Sequence, residues 1–173
     1  DGHRDKLSPW NFDWIHAALF RSSLTEYDEA SMDAKPTLFG MHLLNAYKGA
    51  QVNIVESEKT ALLMAIAYGN HQQQVWMACG GLGNINREKL KPIIEQKRNI
   101  ILYPDRDGVK AWKERADGLR YDRVIVEDKP VTEWWREEDG PKADIADIVV
   151  RMINNKRKND LKLASGQGIE PCP

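Results

Sequence analysis

Two aspartates, Asp105 and Asp107, stand one residue apart where the apolar run IILY gives way to PDRDGV. Carboxylates held about 4 to 5 Å apart at an effective dielectric near 20 repel by roughly 3 to 4 kcal/mol. A cation between them removes that cost, so the pair reads as the start of a metal site. A solvated turn is the plainer alternative, because Pro, Asp and Gly are ordinary turn residues. Glu56 closes an earlier β-branched run, VNIVE, where it would serve as a general acid or base. A further pair, Asp144 and Asp147, opens a helical segment at spacing i, i+3, on one face. Asp is also a common helix starter, so capping stands beside ion binding as its role. With no Cys or His among them, these oxygen donors suit a hard cation, Mg2+ or Mn2+. Such an ion in turn suits phosphate chemistry, since it bridges phosphate oxygens and stabilises developing charge.

The elements that must position these side chains alternate along the chain. Strand patterns over 52–56, 74–79, 99–103 and 122–127 are separated by helical patterns over 57–70, 86–97 and 108–119, with a last helix over 143–158. Strands joined by helices of about a dozen residues need crossover connections. The expected fold is therefore α/β, about four parallel strands sandwiched by helices. Glu56 ends the first strand, the turn GGLGN follows the second, and Asp105 and Asp107 follow the third. All three then share one rim of the sheet, where ligands of such folds bind. The first 50 residues, with PWNFDWIHAALFRS and TLFGMHLLNAY, read as an N-terminal helical extension packed on a domain spanning 51–158. Residues 159–173 read as a flexible tail.

Composition sets outer bounds. The 173 residues are 42% hydrophobic and 29% charged with a net charge of −1, which suits a folded domain with an ordinary core. No bulk positive charge announces nucleic acid, so such a partner would have to meet a local patch. Two cysteines without a CxxC pair argue against a zinc ribbon or a disulfide scaffold and favour a reducing, cytoplasmic setting. No apolar run has the length of a membrane span. The chain begins with Asp1 and reads as a piece of a longer protein.

Other motifs are less specific. Gly81-x-Gly83 is half of a dinucleotide fingerprint whose third glycine is replaced by Asn86. A tight turn is the competing reading, and backbone N–H groups of Gly80 and Gly81 would offer a phosphate cradle. Lys59, Lys110 and Lys142 lie beside the acidic motifs. Each would contact phosphate or nucleic acid, or stand solvated against a carboxylate. The basic run NNKRKNDLK reads as an exposed helix end, Trp134 and Trp135 as packing ahead of base stacking, and the four histidines as structural or exposed.

Taken together, IVESEKTA (54–61), GGLGN, YPDRDGVKAW and GPKADIADIV occur in the order and spacing of a Toprim domain, the topoisomerase–primase fold. The first segment resembles the EGEKDA form of phage and plasmid primases and the last their KDxND segment. The resemblance covers about residues 50 to 155 and extends to uncharacterised bacterial Toprim proteins of mobile elements. It implies a Rossmann-like sheet and magnesium-dependent nucleotidyl transfer or phosphodiester cleavage on nucleic acid, DNA above all, in replication or mobile-element maintenance. Glu56 takes the family's acid/base and metal-linked glutamate, and Asp105 and Asp107 its DxD metal ligands. Asp144 and Asp147 match its further acidic segment. Ser57 stands for the usual Gly, and Thr60 for an Asp often found there. No topoisomerase tyrosine domain is present, and a primase would draw on a zinc-binding module upstream or on replication partners. A non-catalytic module that binds nucleic acid or a replication partner is the alternative, with dinucleotide binding behind it. DRDGV also resembles the first motif of haloacid-dehalogenase-like phosphatases, which carry it on their first strand rather than the third.

Overall fold

A computed structural model of the chain describes residues 37–164, all of which fall in the second of two units, Thr37–Pro173. The expected helix PWNFDWIHAALFRS, with His3 and His16, lies outside the described residues, as does the tail from 165. From Thr37 onward a short helix α1 (Leu43–Ala46) leads into β1 (Gln51–Val55), α2 (Glu58–Tyr68), β2 (Gln74–Ala78), α3 (Arg87–Glu95) and β3 (Ile100–Leu102). There follow α4 (Val109–Gly118), β4 (Val124–Val126), a single turn α5 (Lys129–Thr132) and the long α6 (Ile145–Ala164).

The four strands form one all-parallel sheet in the order β2-β1-β3-β4. Strands β1 and β2 are buried at every position after their first, as a parallel sheet covered on both faces requires. On one face Leu90, Ile93, Trp112 and Ala116 of α3 and α4 pack with Val52, Ile54, Val75 and Ile100. On the other, Ala61 and Met64 of α2 and Ile145, Ala146 and Val149 of α6 pack with Val55, Trp76 and Ala78. Asn86 caps α3 by accepting the Lys89 N–H at 3.0 Å, and the helix carries Pro92 through to Glu95. Helix α6 continues six residues past the expected end at 158, because Lys, Arg and Leu are good helix formers and an exposed charged run does not stop a helix.

The outer edge of β2 is closed. Its outward N–H groups at Gln74, Trp76 and Ala78 donate to the His71 carbonyl (3.1 Å), the Asn70 side chain (2.8 Å) and the Phe39 carbonyl (3.2 Å). Residues 37–50, expected within the helical extension, thus complete the sheet's margin, and Leu38, Leu44 and Ala50 join its core. Arg98, 3% exposed, secures them. Its guanidinium donates to the carbonyls of Leu44 (2.6 Å), Tyr47 (2.8 Å) and Ala50 (3.3 Å), and so helps to satisfy backbone acceptors in a buried turn. Arg98→Met removes all three donors. It is expected to cost about 3 kcal/mol in urea unfolding at unchanged m-value, on the scale of a broken buried polar network.

Candidate active site at the carboxyl edge of the sheet

The strand order places a switch point between β1 and β3: the chain leaves β1 toward β2 on one side and later returns to lay β3 on the other. The connections depart on opposite faces, the arrangement in which open α/β sheets bind ligands at the carboxyl ends of the two strands. Glu56 is the first residue after β1, and Asp105 follows β3 by three. The Tyr103 N–H still bonds the Ile54 carbonyl at 2.8 Å, which keeps the two chain segments side by side up to the carboxyl edge.

The carboxylates differ in what they do for the fold. Asp144 and Asp147 form a reciprocal cap at the start of α6: each accepts the other's backbone N–H at 3.0 Å. The second Asp144 oxygen accepts the Thr60 hydroxyl at 2.5 Å, and both residues are buried. Capping, one of the two roles open for Asp144, is thus filled. Asp107 is exposed and lies 3.6 Å from the Lys142 ammonium, a solvated pair of small energy. By contrast, no hydrogen bond or ion pair engages the carboxylates of Glu56 and Asp105 among the described residues. Asp105 opens a short 3-10 turn, Arg106–Gly108, without capping it.

The negative field is felt most at Asp105. Its burial, then the charges of Glu56, Asp144, Asp107 and Asp147 in that order, push its carboxyl from the ordinary 3.8 up to about 7. Residues as far apart in sequence as Glu56 and Asp147 therefore converge electrostatically on one point. Donor chemistry and uncompensated charge fit a hard divalent cation. Among the described residues, however, no group of three or more His, Cys, Asp or Glu side chains stands ready to hold an ion. Magnesium does not need one: it commonly takes one or two carboxylates and completes its shell with water and substrate phosphate.

Several contacts that build the site were not read from the sequence. Ser57 caps α2 by accepting the Thr60 N–H at 3.1 Å, and Thr60 then ties the start of α2 to that of α6. Arg106, between the two aspartates, turns away from them. Its N–H bonds the Ala143 carbonyl (3.0 Å), its guanidinium donates to the Val131 carbonyl (2.8 Å) and lies 3.7 Å from the Trp135 ring centre. Trp135 is thus a packing residue, whereas Trp134 is 48% exposed. An arginine flanked by two carboxylates gives no sequence signal that it will leave them unpaired.

The glycine turn supports Glu56 rather than a ligand. The Gly80 N–H donates to the Glu56 carbonyl at 2.8 Å, and burial pushes the neighbouring Cys79 thiol up to about 11. Gly80 and Gly81 have positive φ, +66° and +131°, as a tight turn allows. With the Gly80 donor engaged, the phosphate cradle read from the sequence loses one of its two N–H groups. Lys59 and Lys110 are exposed, Lys110 at 4.0 Å from Glu114, and His42 and His71 lie apart from the carboxylates in turns before β1 and β2.

A family model described as a domain of unknown function (DUF6371) matches residues 1–106, more than half of the chain. The chain belongs to that family. The DUF6371 match takes in Glu56, the glycine turn and Asp105, and ends before Asp107, Asp144 and Asp147. No curated protein and no solved structure matches the chain.

The raised Asp105 carboxyl predicts an inverted pH profile. Below about pH 4 both folded and unfolded chains hold its proton. Between about 4 and 7 the unfolded chain releases the proton and the folded chain keeps it, so this residue's contribution to stability falls as pH rises. In EDTA, Asp105→Asn is expected to flatten that fall. It should be the more stable protein at pH 8 by about 1 to 2 kcal/mol after solvent screening, read from urea midpoints across pH.

Proposed function

We propose that this chain performs magnesium-dependent phosphoryl or nucleotidyl transfer on nucleic acid, as a Toprim-like module of primase or nuclease type acting on DNA in the cytoplasm. The observation that carries the reading is a pair of carboxylates, Glu56 and Asp105, without side-chain partners among the described residues at the switch point of a parallel sheet, where burial first and neighbouring negative charges second lift Asp105 to about 7. The resemblance of residues 50 to 155 to Toprim segments agrees with it.

In this reading Glu56, Asp105 and Asp107 would hold the cation, Mg2+ or Mn2+, which when bound supplies charge stabilisation at phosphate oxygens. Glu56, whose carboxylate no hydrogen bond engages among the described residues, would take the proton from an attacking hydroxyl or return it to the leaving oxygen. Lys142 beside Asp107, and Lys59 on the first turn of α2, would offer ammonium groups to the phosphate backbone. Asp144 and Thr60 act as positioning residues: they hold the starts of α2 and α6 together and keep the Asp144 charge next to Asp105. A zinc-binding module on a longer chain, or replication proteins, would complete a primase. The second reading, a binding module without chemistry, is favoured by one observation: no three-ligand group stands preformed among the described residues.

Purified protein supplied with single-stranded or duplex DNA, nucleotides and either metal is expected to synthesise or cleave strands. Glu56→Gln and Asp107→Asn should each lower that activity at least a hundredfold while circular dichroism stays unchanged, as loss of a catalytic acid/base or metal ligand does. Magnesium should raise the melting temperature of wild type and not of Asp105→Asn. A wild-type protein that binds DNA but turns nothing over, with binding indifferent to these substitutions, would establish the binding module instead.

A further inference from the structure

Beside the acidic rim, on the face covered by α2 and α6, lies an open groove of about 290 Å³. Four aromatic residues line it: Tyr68 at the end of α2, Trp76 in β2, Tyr103 just past β3 and Trp134 after α5. Two polar residues, Gln74 and Glu127, complete the part that bears on recognition. Tyr103 precedes Asp105 by two residues, so the groove and the carboxylates share one stretch of chain.

We propose that this groove seats an unpaired, amino-bearing nucleobase of the strand held at the acidic rim, an inference that rests on the function proposed above. Tyr68, Tyr103 and Trp134 provide the stacking surface, and Trp76, 4% exposed, is a buried wall behind them. Trp76 and Tyr103 have centroids 5.2 Å apart at 36°, and Tyr68 lies 6.4 Å from Trp76 at 33°. Trp134 lines the groove while keeping 48% of its surface exposed, as a side chain that gains cover from a ligand would. Stacking alone tolerates any base, and the polar groups narrow the choice. Glu127 is the one carboxylate lining the groove. Its charge disfavours phosphate and an acidic peptide, and accepts the exocyclic N–H groups that adenine, guanine and cytosine carry and thymine and uracil lack. A donor complements it. The Tyr103 phenol, pushed up to about 12 by burial and by Glu127 and Tyr68, keeps its proton at neutral pH. Gln74 is already held, accepting from Asn53 at 3.1 Å and donating to the Tyr68 carbonyl at 3.3 Å. The volume admits a base and excludes a duplex.

Single-stranded oligonucleotides carrying one 2-aminopurine, whose fluorescence falls on stacking, provide the test with the full chain. Wild type is expected to quench the probe and to bind it several-fold more tightly than the same strand with an abasic residue in its place. Trp134→Ala, at a half-exposed position, should remove most of the quench and weaken binding about tenfold, the scale of one lost base stack. Glu127→Gln should erase a preference for adenine or cytosine over thymine while leaving the quench. An unchanged quench in Trp134→Ala, equal affinity for the abasic strand, or no binding of single strands by wild type would overturn the proposal. The free nucleoside serves as a further arm: the seat is for a base within a strand, so nucleoside binding as tight as the oligonucleotide's would reassign it to a mononucleotide. Glu56→Gln separates the two proposals. Quenching that survives in a protein inert toward DNA leaves the base seat and dismisses the chemistry, whereas turnover with an insensitive probe does the reverse.

Discussion

Parallel pairing of β1 with β3, in the register Val52–Ile100, Asn53–Ile101 and Ile54–Leu102, fixes where each chain segment can first turn away from the sheet. Glu56 and Asp105 lie within three residues of that common level, on neighbouring strands about 4.8 Å apart. A slip of one residue would turn every side chain of β3 to the opposite face and take Ile100 and Leu102 out of the core they occupy on the α3 and α4 side. Apolar burial in the strands therefore sets the separation of the charges at their ends. The fold holds a repulsive cluster in place with contacts made elsewhere, the usual relation between a stable scaffold and a strained site.

Ser57 and Thr60 have a physical role in the contact between α2 and α6. Thr60 is 1% exposed and Asp144 8%, and the hydroxyl of one donates to the carboxylate of the other. An aspartate at position 60 would set a second buried carboxylate against Asp144 with no donor between them, an arrangement that neutralises itself or forces the helices apart. Threonine at 60 and aspartate at 144 are a matched pair, and Ser57 frames the pair by capping α2 and contacting the Thr60 hydroxyl at 2.7 Å.

The strands and helices were legible because their signals are local: β-branched runs bounded by Gly, Asn and Pro, and helical patterns between them. The meeting of Glu56 with Asp105 was legible for a topological reason, since parallel strands deliver all their ends to one rim. Thr60 and Asp144 are 84 residues apart and joined by one hydrogen bond, which no spacing rule encodes. Arg106 was opaque for a different reason: its neighbours in sequence suggest an ion pair, and only the loop carrying Val131 and Trp135 draws it elsewhere. The glycines of GGLGN showed that a turn forms and not that its first N–H would serve the Glu56 carbonyl. Phe39 gave no sign that it would bridge to β2, because a single antiparallel bridge has no periodicity.

That bridge bears on how copies of the chain can associate. Along β2, Phe39, Asn70 and His71 occupy the outward backbone donors, whereas among the described residues nothing comparable meets β4, where Ile125 is 61% exposed. A sheet with two bare margins can recruit strands without end and grow a fibre. With one margin sealed, any growth by edge pairing must join β4 to β4 and then stops, because both outer margins of such a couple are already closed. For the described residues, pairing through the sheet edge would therefore close at two copies.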